Sequence, residues 1–264
     1  MGRHTKAKYI SQQNRKYKRK KLIKKIILLI LFVFFLGLAV FSGIKIFNYT
    51  KDTIETKEVE EELLEYVEVD EDTKEVKIDF DSLISINKDT KGYLIIPGTN
   101  ISYPVVQTSN NDYYLNHNFK KNYNESGWLF ADYENKMDGT DNNIVIYGHS
   151  MKNKTMFGEL SKVLHKEWYS NPDNFNITYL TKNTKYTYKV FSIYKIKAED
   201  YYINTKVKEN EFKDFVNNLK SRNIIHNNTS IKDAKKIITL STCYDNLDTR
   251  LVVHAVLISE ENIG

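Results

Sequence analysis

The sequence predicts a mainly β protein: an eight-stranded barrel behind a single apolar N-terminal helix. Three observations carry that expectation. Residues 88–264 hold eight short segments rich in β-branched and aromatic residues, parted by turn signals such as Pro97-Gly98 and Asp138-Gly139. Eight strands without an internal repeat point to a closed or nearly closed barrel, the arrangement that leaves no long edge unpaired. Only two segments among them show helical spacing, and one uncharged stretch, residues 26–44, stands near the N-terminus.

Charge divides the chain before any motif does. Residues 1–25 hold 11 Lys or Arg and no acid, whereas the remainder holds 28 basic against 34 acidic residues. The formal charge of +5 is therefore the property of a tail, carried on a body near −6. A basic tail can bind nucleic acid, but this one runs directly into the 19 uncharged residues 26–44. At about 1.5 Å per residue these span roughly 28 Å, close to the hydrocarbon thickness of a bilayer. A cleavable signal peptide has a shorter apolar core, about 7 to 15 residues, so an uncleaved anchor is expected. Lys and Arg before it and acids after it put the N-terminus in the cytoplasm and the rest outside the cell.

The expected order is thus a basic cytoplasmic tail (1–25), a transmembrane signal-anchor (26–47), an acidic, partly helical stalk (48–87) and an extracellular folded domain (88–264). The membrane is a partner through residues 26–44, and nucleic acid is not. In the stalk, Val59, Leu63, Tyr66 and Val67 recur at helical spacing with no Pro or Gly. That segment reads either as a solvated spacer or as a short helix packing back on the domain.

The eight expected strands are residues 93–96, 103–106, 128–131, 143–148, 175–180, 186–197, 236–243 and 250–259. A helix is expected at 156–165 and a second after Glu209, where Phe212, Phe215, Val216 and Leu219 make one apolar face. The second helix is an insertion immediately before the last two strands, placed either to wall a groove or to plug the barrel end.

The only cysteine, Cys243, closes the seventh strand, and the turn residues Asp245, Asn246 and Asp248 separate it from Arg250 on the eighth. A lone cysteine reads as a small buried hydrophobe or as a nucleophile. Beyond a membrane anchor an unpaired thiol is unusual, which favours the nucleophile. Such a thiol needs a proton partner and a group to hold the oxyanion formed on a carbonyl.

Of six histidines, His4 lies in the cytoplasmic tail, while His117, His165 and His226 fall in polar loops or near helices. His254 shares a strand face with Arg250 but lies four residues along, roughly 13 Å at about 3.3 Å per residue, too far to serve one carbonyl. His149 follows an apolar strand and Gly148, which lets the chain turn and present the imidazole at a strand end. A satisfied structural histidine is the bland alternative. Cys and His titrate near about 8.5 and 6.5, so few such pairs are thiolate with imidazolium at neutral pH; a fixed guanidinium nearby raises that fraction. For Arg250 the bland reading is an ion pair with Asp245 or Asp248.

The residues TLSTC (239–243) followed by Arg250, with IYGHSM (146–151) upstream, resemble the sortases, membrane-anchored cysteine transpeptidases of Gram-positive bacteria. GYLIIPGTNISYPVVQ (92–107), DYYLNH (112–117), GWLFADYEN (127–135), MFGEL (156–160) and the helical insertion are similar to class B. One departure is Tyr244, where many class B members carry an acid directly after the cysteine; here Asp245 follows one residue later.

The resemblance implies a sortase-type barrel and a transpeptidase without metal or other cofactor. Cys243 attacks the carbonyl of a Thr in a C-terminal sorting signal, of Asn-Pro-x-Thr type, on a secreted protein. His149 protonates the leaving amine, and Arg250 stabilises the oxyanion. A peptidoglycan amine then resolves the thioacyl enzyme. Ser241, Thr239, Tyr114 and Leu115 are the residues expected to line the peptide groove. The same residues could polymerise pilin subunits or hydrolyse the thioester, and a membrane-tethered binding module with an inert thiol is the alternative of another kind.

Overall fold

The computed structural model describes the backbone of residues 3–70, 72, 75–244 and 246–264, and their side chains except at 3–8, 10, 11, 243, 244 and 246–248. The chain divides into two compact units, Met1–Lys51 and Asp52–Gly264. The described residues of the first are helical and belong to α1 (Arg3–Leu64). Its apolar residues from Ile26 to Phe47 are exposed, and by length and composition α1 contains a stretch able to cross a membrane.

The second unit begins with the last part of α1. Val59 and Leu63 are buried in the main core, because a four-residue spacing returns to one helix face. A short hairpin follows, β1 (Val67–Val69) with β2 (Val76–Ile78), and then α2 (Phe80–Ile86), capped by the Asp79 carboxylate on the Ser82 amide. Phe80 and Leu83 of α2 are also in the core. The segment expected as a stalk is therefore, from Asp52 onward, part of the folded unit, and the helix packs back on the domain.

Eight strands close the barrel: β3 (Thr90–Ile95), β4 (Ser102–Val106), β5 (Phe130–Ala131), β6 (Asn143–Gly148), β7 (Asn176–Leu180), β8 (Thr184–Lys197), β9 (Ile237–Tyr244) and β10 (Asn246–Asn262). Their order around the barrel is β10-β8-β7-β3-β4-β5-β6-β9. All neighbours are antiparallel except β4 with β5 and β6 with β9, which are parallel. The expected strands thus form, with β5 shorter and β10 longer than their apolar runs.

The segment expected as a helix at 156–165 is a 3-10 turn, Phe157–Leu164, followed by the single turn α3 (Lys166–Tyr169). The inserted helix, α4 (Glu209–Ser221), buries Phe212, Phe215, Val216 and Leu219 as its spacing requires. They meet Phe191 and Tyr194 of β8 and Val252 and Val256 of β10, a cluster separate from the main core. Alternation along a strand sends Leu251 and Val253 to the main core and Val252 to α4. The helix therefore covers the outer face of the barrel. Among the described residues, those lining the site cavity come from the segment before it and not from α4 itself.

Candidate active site

Parallel pairing of β6 with β9 puts Gly148 beside Thr242. His149 and Cys243, each one residue further along, consequently leave adjacent strands at the same end of the barrel. The antiparallel return of β10 sets Arg250 opposite Cys243. Three residues far apart in sequence are thereby brought to one corner by backbone register. The Cys243 thiol and the residues after it, Tyr244 and Asp245, lie outside the described side chains, so the expectations placed on them rest on that register and on sequence.

A cavity of about 290 Å³ opens at this corner. His149, Arg250, Ser241 and Leu115 are in its wall. The half-buried His149 has its Nε2 2.8 Å from the carbonyl oxygen of Leu115. Arg250, also half-buried, donates from Nη1 to the Thr249 carbonyl at 3.3 Å. Gly148 has its own reason to be glycine: a Cβ there would stand 2.9 Å from the Phe157 ring. Close approach of that ring, rather than the sharp turn expected, is what the residue permits.

Thr239 and Tyr114 are not in the wall. Thr239 is fully buried, donating to Asn143 Oδ1 at 2.7 Å and lying 2.9 Å from His254 Nδ1. Tyr114 is buried as well, its hydroxyl donating to Asp89 at 2.8 Å and accepting from Asn87 at 2.8 Å. Both are buried with their polar groups satisfied inside the protein.

The remaining wall was not read from sequence. The segment between β8 and α4 contributes Ala198, Glu199, Asp200, Tyr202 and Ile203, the barrel strands contribute Phe130 and Tyr147, and the loop between β4 and β5 contributes Asn111. Tyr202 is anchored to the site through its hydroxyl, 3.1 Å from Ser241 Oγ. Tyr147 donates to Asp132 at 2.7 Å, and burial together with that carboxylate pushes its phenol well above the usual range. Tyr147 could have been found, since it lies two residues before His149 and a strand returns to one face every second residue. The segment 198–203 carries no periodic signal that could have found it.

His254, the rival histidine, is buried between β10 and the insertion. Tyr194 Oη lies 2.8 Å from its Nε2. Burial and then the charge of Arg222 lower its pKa to about 3. It is a neutral structural group, engaged at both nitrogens.

Residues 94–258 match the family model described as the sortase domain. Sortase B of Listeria monocytogenes is 35% identical over 173 residues, which cover 64% of this chain and 70% of that one. The crystal structure of sortase B from Bacillus anthracis in complex with AAEK1 has a TM-score of 0.69 at 31% identity, covering 80% of this chain and 99% of that one. A Staphylococcus aureus sortase B–substrate complex gives a TM-score of 0.62 at 30% identity, over 83% and 97% of the two chains. The barrel, the order of histidine, cysteine and arginine along the chain, and these likenesses have one conclusion: the chain belongs to the sortase family, and within it to the sortase B cysteine transpeptidases.

Proposed function

We propose that this sortase B joins secreted proteins to the cell wall through Cys243, His149 and Arg250, acting from the outer side of the membrane. The observation that carries the reading is the register at the barrel corner, with His149 and Cys243 leaving parallel neighbours and Arg250 opposite Cys243. The Cys243 thiolate adds to the carbonyl carbon of the Thr in an Asn-Pro-x-Thr sorting signal. The negative charge moves to the oxygen, where the guanidinium of Arg250 stabilises it; arginine suits this work because it keeps its proton. Collapse breaks the C–N bond, and His149 gives its proton to the departing amine. A peptidoglycan amine then attacks the thioester, His149 takes a proton from it, and thiolate is released as the new amide forms.

Ser241 and Leu115 would contact the signal peptide from the cavity wall, with Tyr147 and the 198–203 segment opposite. That the solved relatives include a sortase B–substrate complex supports peptide binding at this cavity. The basic tail and the apolar stretch 26–44 support an anchor with the N-terminus inside.

The test uses the full chain in detergent with an Asn-Pro-Gln-Thr peptide, with and without glycine oligomers or stem-peptide amines, and reads products by mass. Cys243→Ala should lose both cleavage and transfer, and His149→Ala nearly so, each with a native circular dichroism spectrum. Free acid as the sole product in every amine would make it a hydrolase, and an isopeptide to a pilin lysine a polymerase. An active Cys243→Ala protein would remove the thiol from the mechanism.

A further inference from the structure

The hydrogen bond from His149 to Leu115 fixes more than a distance. A carbonyl oxygen only accepts, so Nε2 carries the hydrogen and, in the neutral ring, Nδ1 is the bare nitrogen. What holds that carbonyl in place is itself built. Leu115 ends the 3-10 turn Tyr113–Leu115, and the turn is seated against Gly127. Gly127 has φ +60°, and a Cβ on it would stand 2.4 Å from the Tyr114 oxygen and 2.8 Å from the Leu115 oxygen. Only glycine allows the two segments to approach so closely in that conformation.

Gly127 is placed in turn by α1. Its amide donates to the Asn124 carbonyl at 3.0 Å, and the buried Asn124 side chain donates to the Asp52 carbonyl at 3.0 Å. The Asp52 carboxylate accepts from the Glu125 amide at 3.0 Å. Glu55 accepts from Asn118 at 3.0 Å and from Asn122 at 3.2 Å. One residue from Asp52, Thr53 accepts from Asn153 at 3.0 Å, in the loop that follows His149. Residues 52–56 thus bind both of the loops whose meeting is the His149–Leu115 bond.

We propose that Asp52 and Gly127 are positioning residues for the transpeptidation: they hold the Leu115 carbonyl where it locks His149 as the Nε2–H tautomer, leaving Nδ1 to exchange the proton. A wrong tautomer presents a hydrogen where the thiol needs an acceptor, so the fault would appear in turnover and not in peptide affinity. The proposal rests on the reading of His149 as the proton carrier, and the experiment separates the two.

Full-length protein in micelles, labelled with 15N-histidine, reports the tautomer of each ring directly. At pH 8 the wild-type His149 should show a protonated Nε2 and a bare Nδ1. Gly127→Ala should give a tautomer mixture, with kcat down at least tenfold and KM for the Asn-Pro-Gln-Thr peptide within twofold. Asp52→Ala should shift the tautomer the same way and cost threefold or more in kcat. Asp52→Asn keeps an oxygen for the Glu125 amide and should return both readings to near wild type. If Gly127→Ala does not fold, the Asp52 pair decides. A wild-type ring protonated at Nδ1, or an unchanged tautomer and turnover in Asp52→Ala, overturns the clamp. An active His149→Ala protein would instead remove His149 as proton carrier, and the tautomer shifts in the Asp52 pair would still decide whether the clamp sets the ring.

Discussion

Arg250 is where sequence and geometry make the most specific demand on one side chain. The oxyanion role proposed for Arg250 needs a planar fork held at one place, and the register sets Arg250 opposite Cys243. Lysine keeps the charge but offers a flexible point donor. Loss of one oxyanion donor typically costs about 3 to 4 kcal/mol, or roughly 100- to 1000-fold in rate. Arg250→Lys should therefore lose at least about tenfold in kcat and Arg250→Ala more, both with a folded barrel by circular dichroism. A surface ion pair alone would cost about 1 kcal/mol of stability or less and leave kcat intact, so an alanine variant at wild-type turnover would exclude the role. At this scale the position of a residue at a strand end was readable, as with His149 and Arg250, which the register brings to one corner. The burial of Thr239 and Tyr114 was not readable, because their polar groups have partners that only the folded chain supplies: Asn143 and His254 for one, Asp89 and Asn87 for the other.

Among the elements, the α4 insertion and the strand face beneath it form a polar layer as well as an apolar one. His254 links Tyr194 of β8 to Thr239 of β9, and Thr239 continues to Asn143 of β6. Arg222 at the end of α4 lies over the Tyr194 and Tyr201 rings and pairs with Glu199. This layer gives a pH dependence whose sign follows from one group. Folded His254 is held neutral, its pKa lowered to about 3, whereas unfolded chain titrates near about 6.5. Between those values the unfolded state binds a proton that the folded state refuses, so stability is complete above about pH 6.5 and is lost as pH falls towards 3. At pH 4.5 the loss from this group is roughly 2 to 3 kcal/mol, at 1.36 kcal/mol per unit. Urea unfolding at pH 7.5 and 4.5 should show that loss in the wild type and a flatter dependence in His254→Gln; parallel behaviour would exclude His254 as its source. The existence of α4 was legible from its apolar spacing. Its placement was not, because periodicity says which face is buried and is silent on what covers it. The segment 198–203 was illegible for the opposite reason: its position comes from contacts such as Tyr202 with Ser241 and not from any local pattern.

At the scale of the whole molecule, the eight-strand count and closure were readable because each strand announces itself through alternation and bounding turns. The boundary of the folded unit was not, since Val59 and Leu63 carry the same helical spacing whether a stalk is solvated or docked. For the membrane, the basic tail and the uncharged stretch 26–44 predict an inside N-terminus. Protease added to intact protoplasts should degrade the chain beyond Lys45 and spare an epitope placed on residues 1–25. Full protection of the region beyond Lys45 would reverse the topology.

The parallel pairing of β6 with β9 has a consequence in time. Between Gly148 and Ile237 the chain must lay down β7, β8 and α4 before β9 can dock beside β6. Contacts between residues so distant in sequence are slow to form, because loop closure must precede any gain from pairing. An unfolded chain therefore holds Cys243 and His149 apart until nearly the last strand is in place. On the mechanism proposed above, the enzyme comes into being only when the barrel shuts, and half-made copies have no working centre.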